Sequence, residues 1–193
     1  MNLPVSPDVL IDRLSGIQYA TPSEVGDGTE YSRAAVLIGL IRIDERLDLL
    51  YIRRSQNVIT HKGQVAFPGG RQEDTDHDAV DTALREAEEE IGLERDNVQI
   101  LGTLPFILTP TNFLITPVVG WIKNKFQIRL QKSEVDRVFT IPLNWLANPE
   151  HHSRRSYQSL TGLRHGVIFY KPYDGETLWG VTAEITQRFI NIL

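Results

Sequence analysis

Between Asp78 and Gly92 the apolar residues recur in steps of three and four: Val80, Ala83, Leu84, Ala87 and Ile91. That is the period of a helix lying on a core, and Gly92 stands where such a helix stops. The same segment carries Glu86, Glu89 and Glu90 at i, i+3 and i+4, so one helix face gathers three carboxylates. At about 100° per residue that face lies beside the apolar stripe, not opposite it. Glu88 points elsewhere and reads as a solvated charge. Carboxylates crowded at the edge of a core raise one another's pKa, and a hard divalent cation, Mg2+ or Mn2+, removes the conflict. Taken alone, the run also fits a solvated acidic face with Arg85 paired to Glu89.

The rest of the chain is richer in strands. Residues 6–15 predict a short amphipathic helix, with Pro7 early and Gly16 past its end, and Thr21 to Thr29 a loop. The runs at 34–43 and 47–54 read as a hairpin. QVAF (64–67) leads into Pro68-Gly69-Gly70, which reads as a turn. Further strands are expected at 98–107, 114–122 and 135–141, and a second hairpin pairing 166–171 with 176–180. Residues 181–193 close the chain as an amphipathic helix with Thr182 at its N-cap. His151, His152, Arg154 and Arg155 read as a polar loop. Phe169 and Trp179 read as core residues more than as platforms for adenine. With no repeat and no linker, this predicts a mixed α/β domain of the α+β type.

At 193 residues the chain is long enough for one domain with a real core. No apolar run reaches membrane-spanning length and the N-terminus lacks signal-peptide features, which predicts a cytoplasmic protein without a membrane partner. The absence of cysteine rules out a thiol nucleophile and a cysteine zinc site. A net charge of -5 argues against nucleic acid as a partner. An anionic ligand then needs a metal or a local basic patch, and Arg53, Arg54, His61, Lys62 and Arg71 supply positive charge, although each also reads as a solvated base. An apolar strand or the terminal helix serves a homodimer or the core equally well.

The glycine turn followed by the carboxylate helix resembles a known family. Gly70 to Leu93 looks like the Nudix box: Gly, five residues, Glu, seven residues, Arg-Glu, an apolar residue, any residue, Glu-Glu, any residue, Gly, apolar. Arg85 to Leu93 matches the second half in full. The first half departs, with Asp76 at the outer acidic position and eight residues between it and Arg85. The resemblance implies a Nudix-like mixed β-sheet sandwiched between helices over 31–193, preceded by an extension over 1–30. It implies metal-dependent hydrolysis of a nucleoside diphosphate linkage. Glu86 and Glu90 would be the principal Mg2+ or Mn2+ ligands, with Glu89 a further ligand or the base. The Gly69 carbonyl would complete a site and Arg85 would orient the carboxylates. Glu134 is a second candidate base and also reads as an exposed strand-edge glutamate.

A narrower likeness covers residues 49–70, which resemble the segment before the box in coenzyme A pyrophosphatases at Leu49, Leu50, Ser55, Gly63, Phe67, Pro68, Gly69 and Gly70. It implies a coenzyme A-like small-molecule substrate, cleaved to 3′,5′-ADP and a phosphopantetheine, with Arg53, Arg54, Gly63, Phe67 and Gly70 near it. Ile59 stands where that motif carries Arg, which favours the alternative of ADP-ribose or a dinucleoside polyphosphate. A non-catalytic Nudix-fold binding module is the reading from another class, and the intact glutamates count against it.

Overall fold

In a computed structural model, described for residues 6–16, 31–123, 126–159 and 162–193, the apolar runs assemble into one mixed sheet with helices on both faces. The loop expected over Thr21–Thr29 lies outside the described residues. β1 (Ser32–Ile43) pairs antiparallel with β2 (Arg46–Arg54) as a hairpin, and parallel with β7 (Phe113–Ile122) from Ser32↔Phe113 to Ile41↔Ile122. β5 (Val98–Thr103) and β6 (Ile107–Leu108) pair with β7, while β3 (Val65–Ala66) and β8 (Val135–Pro142) pair with β2.

The two faces follow from strand alternation. Ile38, Leu40, Leu49 and Tyr51 point into one core, and Leu37, Leu50 and Ile52 into the other. α2 (Ala79–Ile91) covers the second face. α1 (Pro7–Ser15), α3 (Leu143–Leu146) and α4 (Gly180–Ile190) cover the first. Leu10 and Leu14 of α1 are buried against β5, so the N-terminal helix shares the larger core. Each fully buried leucine contributes about 1.5–3 kcal/mol.

Four expectations are corrected. Pro68-Gly69-Gly70 is not a plain turn, because Gly69–Arg71 forms a short strand, β4, antiparallel to β1. The run at 98–107 divides into β5 and β6, separated at Leu104-Pro105-Phe106. β10 (Gly162–Tyr170) forms its ladder with β9 (His152–Ser159), and the expected pairing with residues 176–180 is present as an antiparallel bridge from Phe169 to Trp179 and a bond from the Tyr170 amide to the Leu178 carbonyl. From His152 on, the stretch read as a polar loop is therefore a strand whose polar side chains hide its period. Finally, α4 starts at Gly180, and the Thr182 hydroxyl donates to the Val65 carbonyl at 3.1 Å where a cap was expected.

Candidate active site

α2 begins where the Asp78 side chain accepts the Asp81 amide at 2.9 Å, and it ends where Gly92 adopts a left-handed φ of 74°. These two stops fix which residue lands on which face. Ala83, Leu84, Ala87 and Ile91 point into the core, and Glu90, next to that stripe, goes in with them at 2% exposure. Glu86 is half-buried, whereas Glu88 is exposed, as the helical spacing predicts. The Glu89 side chain is 58% exposed and lies 3.2 Å from Arg85 Nη1. Three carboxylates share a face but not a depth.

Burial pushes the Glu90 carboxyl up to about 8, and the charges of Glu86 and Glu134 push the same way. The Gly69 amide donates to Oε2 at 3.1 Å and Arg54 Nη1 lies 3.8 Å from Oε1; both pull it down without prevailing. Burial also raises Glu86, against the opposing pull of Arg85.

The two glycines of β4 serve different neighbours. Gly69 lies opposite Val36 with φ 154°, where a Cβ would stand 2.6 Å from the Val36 Cα and closer still to the Ala35 carbonyl oxygen. Gly70 has no positive φ, and a Cβ on it would stand 2.5 Å from Glu86 Cδ. Backbone pairing requires the first glycine; the Glu86 carboxylate, lying over the strand, requires the second.

Arg85 binds four groups. Its Nε and Nη2 donate to the two oxygens of Asp76, each at 3.0 Å, and Nη1 donates to Glu86 at 3.0 Å and Glu89 at 3.2 Å. Nη2 also donates to the Arg71 carbonyl at 3.1 Å, tying β4 to the helix. Asp76 additionally accepts from the Glu73 amide and the Thr82 hydroxyl, and the Arg85 fork holds its pKa down at about 2. The extra residue between Asp76 and Arg85 is taken up before the helix, and the acidic position keeps its arginine.

The expected substrate-binding set divides. Arg54 turns toward α2 and Glu90, its Nε buried with no hydrogen-bond partner. Arg53 turns to the opposite face, where it meets Glu176 at 3.2 Å and Asp136 at 3.9 Å. Strand alternation carries that signal in the sequence; the acidic partners, more than eighty residues on, leave none. Phe67, expected beside substrate, is a core residue at 2% exposure, stacked on Tyr51 with ring centroids 4.7 Å apart. Gly63, at φ 64°, shapes the loop and donates its amide to the Arg54 carbonyl at 3.1 Å. Glu134 is exposed at the start of β8, and its carbonyl accepts the Ser55 amide at 2.7 Å.

Among the described residues, no three carboxylate or histidine side chains converge into a ready cation cage. The donors nonetheless suit Mg2+ or Mn2+. Glu86 and Glu90 offer hard oxygens, and Glu90 is a buried acid whose nearest positive charge lies beyond hydrogen-bond length. A divalent ion offsets that deficit.

Comparison with known proteins agrees with this geometry. The NUDIX domain model matches residues 31–161. The chain is 38% identical over 182 residues to the "Uncharacterized Nudix hydrolase NudL" of Escherichia coli (strain K12), covering 93% of this chain and 92% of that protein. The protein of the same name from Shigella sonnei (strain Ss046) is 37% identical over 183 residues, with the same coverage. A MutT/nudix family protein from Enterococcus faecalis shares the fold with a TM-score of 0.55 at 18% identity, covering 87% of this chain and 64% of that one. RenU, a Nudix hydrolase from M. smegmatis, superposes with a TM-score of 0.51 at 18% identity, covering 63% and 83%. With a helix that buries Glu90, an arginine that aligns its neighbours and a family match over most of its length, the chain belongs to the Nudix hydrolase family.

Proposed function

We propose that the chain hydrolyses the diphosphate bridge of coenzyme A or its thioesters, giving 3′,5′-ADP and an (acyl-)4′-phosphopantetheine. The observation that carries this reading is where residues 49–70 lie. The segment that resembles coenzyme A pyrophosphatases forms the wall of the carboxylate site: Arg54 faces Glu90, and Phe67-Pro68 anchor the strand that brings in Gly69 and Gly70. Within that reading the domain spans 31–193, with residues 1–30 as its extension.

Glu86 and Glu90 would hold Mg2+ or Mn2+ with the Gly69 carbonyl, and the ion would neutralise phosphate charge and activate water. The chain's own groups do the rest. Arg85 bridges Glu86 and Glu89 through one nitrogen and so aligns them, and Arg54 supplies the positive charge nearest the buried acid. Glu89 and Glu134 are the two exposed carboxylates able to take a proton from water.

The test is incubation with coenzyme A, ADP-ribose and diadenosine polyphosphates, with Mg2+ or Mn2+, and chromatography of the products. Absence of cleavage with either metal sinks the hydrolase reading. Cleavage of ADP-ribose or the dinucleotide in preference to coenzyme A moves the assignment to the second reading. Ile59 favours that reading, being 95% exposed where the coenzyme A motif has Arg.

A further inference from the structure

A cleft of about 540 Å³ opens between the loop after β2 and the turn before α4, on the side of the sheet to which Arg53 points. Its size is that of small-molecule sites. Arg53, Gln56, Asp136, Glu176, Thr177 and Trp179 are among the residues that line it.

The charges show what the cleft does not take. Glu176 Oε1 accepts from Arg53 at 3.2 Å and from Arg137 at 2.9 Å, and Arg137 also pairs with Asp174. Two guanidiniums face three carboxylates, counting Asp136, so the surroundings are slightly negative. A phosphate gains little from an arginine already held by acids.

What remains is one flat ring and a set of acceptors. Trp179 is half-buried, correcting the expectation of a core residue, and its ring is held by two aromatic neighbours. Phe169 stacks on it at 5.4 Å with 10° between the planes, and Tyr157 lies 4.9 Å away. The Tyr170 amide donates to the Leu178 carbonyl at 2.9 Å, and Thr182 ties α4 to β3, so the turn bearing Trp179 is anchored on both sides. Asp136 lies 3.9 Å from Arg53, beyond hydrogen-bond length, and its carboxylate retains acceptor capacity.

We propose that this cleft is the subsite for an amino-bearing planar heterocycle, an adenine-type base. The base stacks on Trp179 and its amino group donates to Asp136. The assignment rests on the nucleotide-hydrolase reading for its biological sense, because the cleft and the carboxylates lie at the same end of β2 and β8. Arg53 opens on one side and Arg54 on the other, from Cα atoms about 3.8 Å apart. A nucleotide with its base in the cleft and its diphosphate near Glu90 straddles the end of β2.

The test uses the full chain and titrations with adenosine, inosine and pantetheine, read by calorimetry without turnover. Adenosine binds saturably, and inosine, with a carbonyl in place of the amino group, binds about tenfold more weakly. Trp179→Ala lowers adenosine affinity by about tenfold, Trp179→Phe restores most of it, and Asp136→Ala reduces adenosine to the level of inosine. In turnover with an adenine-containing diphosphate, the Trp179→Ala loss falls on KM. Equal binding of adenosine and inosine, undiminished binding in Trp179→Ala, or occupation by pantetheine alone overturns the subsite. Adenosine binding in a protein that cleaves no diphosphate supports the subsite and removes the hydrolysis reading.

Discussion

The two adjacent glycines of β4 make a sharp test, because their side-chain positions point at different parts of the molecule. In Gly70→Ala the new Cβ starts 2.5 Å from Glu86 Cδ and 2.7 Å from its Oε2. Relaxed contacts between carbon atoms lie near 3.5–4.0 Å, so the carboxylate must retreat by about 1 Å. The backbone at Gly70 has no positive φ, so alanine fits there without strain and restricts the unfolded chain, a gain of about 0.4–1 kcal/mol. The cost falls on the site: Glu86 leaves its 3.0 Å bond to Arg85 and its place beside Glu90. Misplacement on that scale lowers turnover by about 10²-fold, or about 2.7 kcal/mol of transition-state stabilisation.

Gly69→Ala is the control. There the obstacle is the backbone of β1, which cannot swing aside, so β4 must part from it at a cost of about 2 kcal/mol or more. Thermal melting and steady-state turnover on the same preparations separate the two outcomes. A Gly70→Ala protein with full turnover, or one destabilised as much as Gly69→Ala, refutes the argument that Gly70 makes room for a catalytic carboxylate.

Asp76→Asn should free Arg85 and lower turnover about tenfold, with a stability loss of about 1.5–3 kcal/mol read from denaturant melts. Because Asp76 is depressed to about 2, its contribution is present above the ordinary carboxylate range near 4 and fades toward pH 2; the wild-type and variant curves should converge across that window. Glu90, raised to about 8, is largely protonated in the metal-free protein at pH 7, so Mg2+ should expel up to one proton on binding and bind more tightly as pH rises toward 8. Calorimetry in buffers of different ionisation enthalpy measures that release, which should vanish in Glu90→Gln along with turnover. The raised value also means that Glu90's contribution to metal-free stability is complete below its ordinary range and is lost as pH rises through 8. Ile59→Arg should leave stability within about 0.5 kcal/mol, since the side chain touches little. If coenzyme A is the substrate, it should lower KM for coenzyme A about tenfold, and an unchanged KM removes position 59 from the phosphate.

The contrast between α2 and the rest of the site shows what kind of information the sequence holds. α2 was legible because everything that makes it is local: the three-and-four step, Asp78 at its start, Gly92 at its end and three glutamates on one face. Depth was not legible. The helical spacing places Glu86, Glu89 and Glu90 together, yet burial of Glu90 and exposure of Glu89 depend on β4, which forms only when Gly69–Arg71 meets β1 some thirty-five residues earlier. The same limit explains Arg53, whose acidic partner Glu176 is 123 residues away, and β9, a strand recognisable only through its pairing with β10. Asp76 makes the converse point. Counted back from Arg85 it is one residue out of place, but the link through His77 and Asp78 before the helix absorbs the difference and both its oxygens reach Arg85 at 3.0 Å. A spacing rule counts residues, whereas the site depends on distance, and the two part where a loop before a rigid helix has slack.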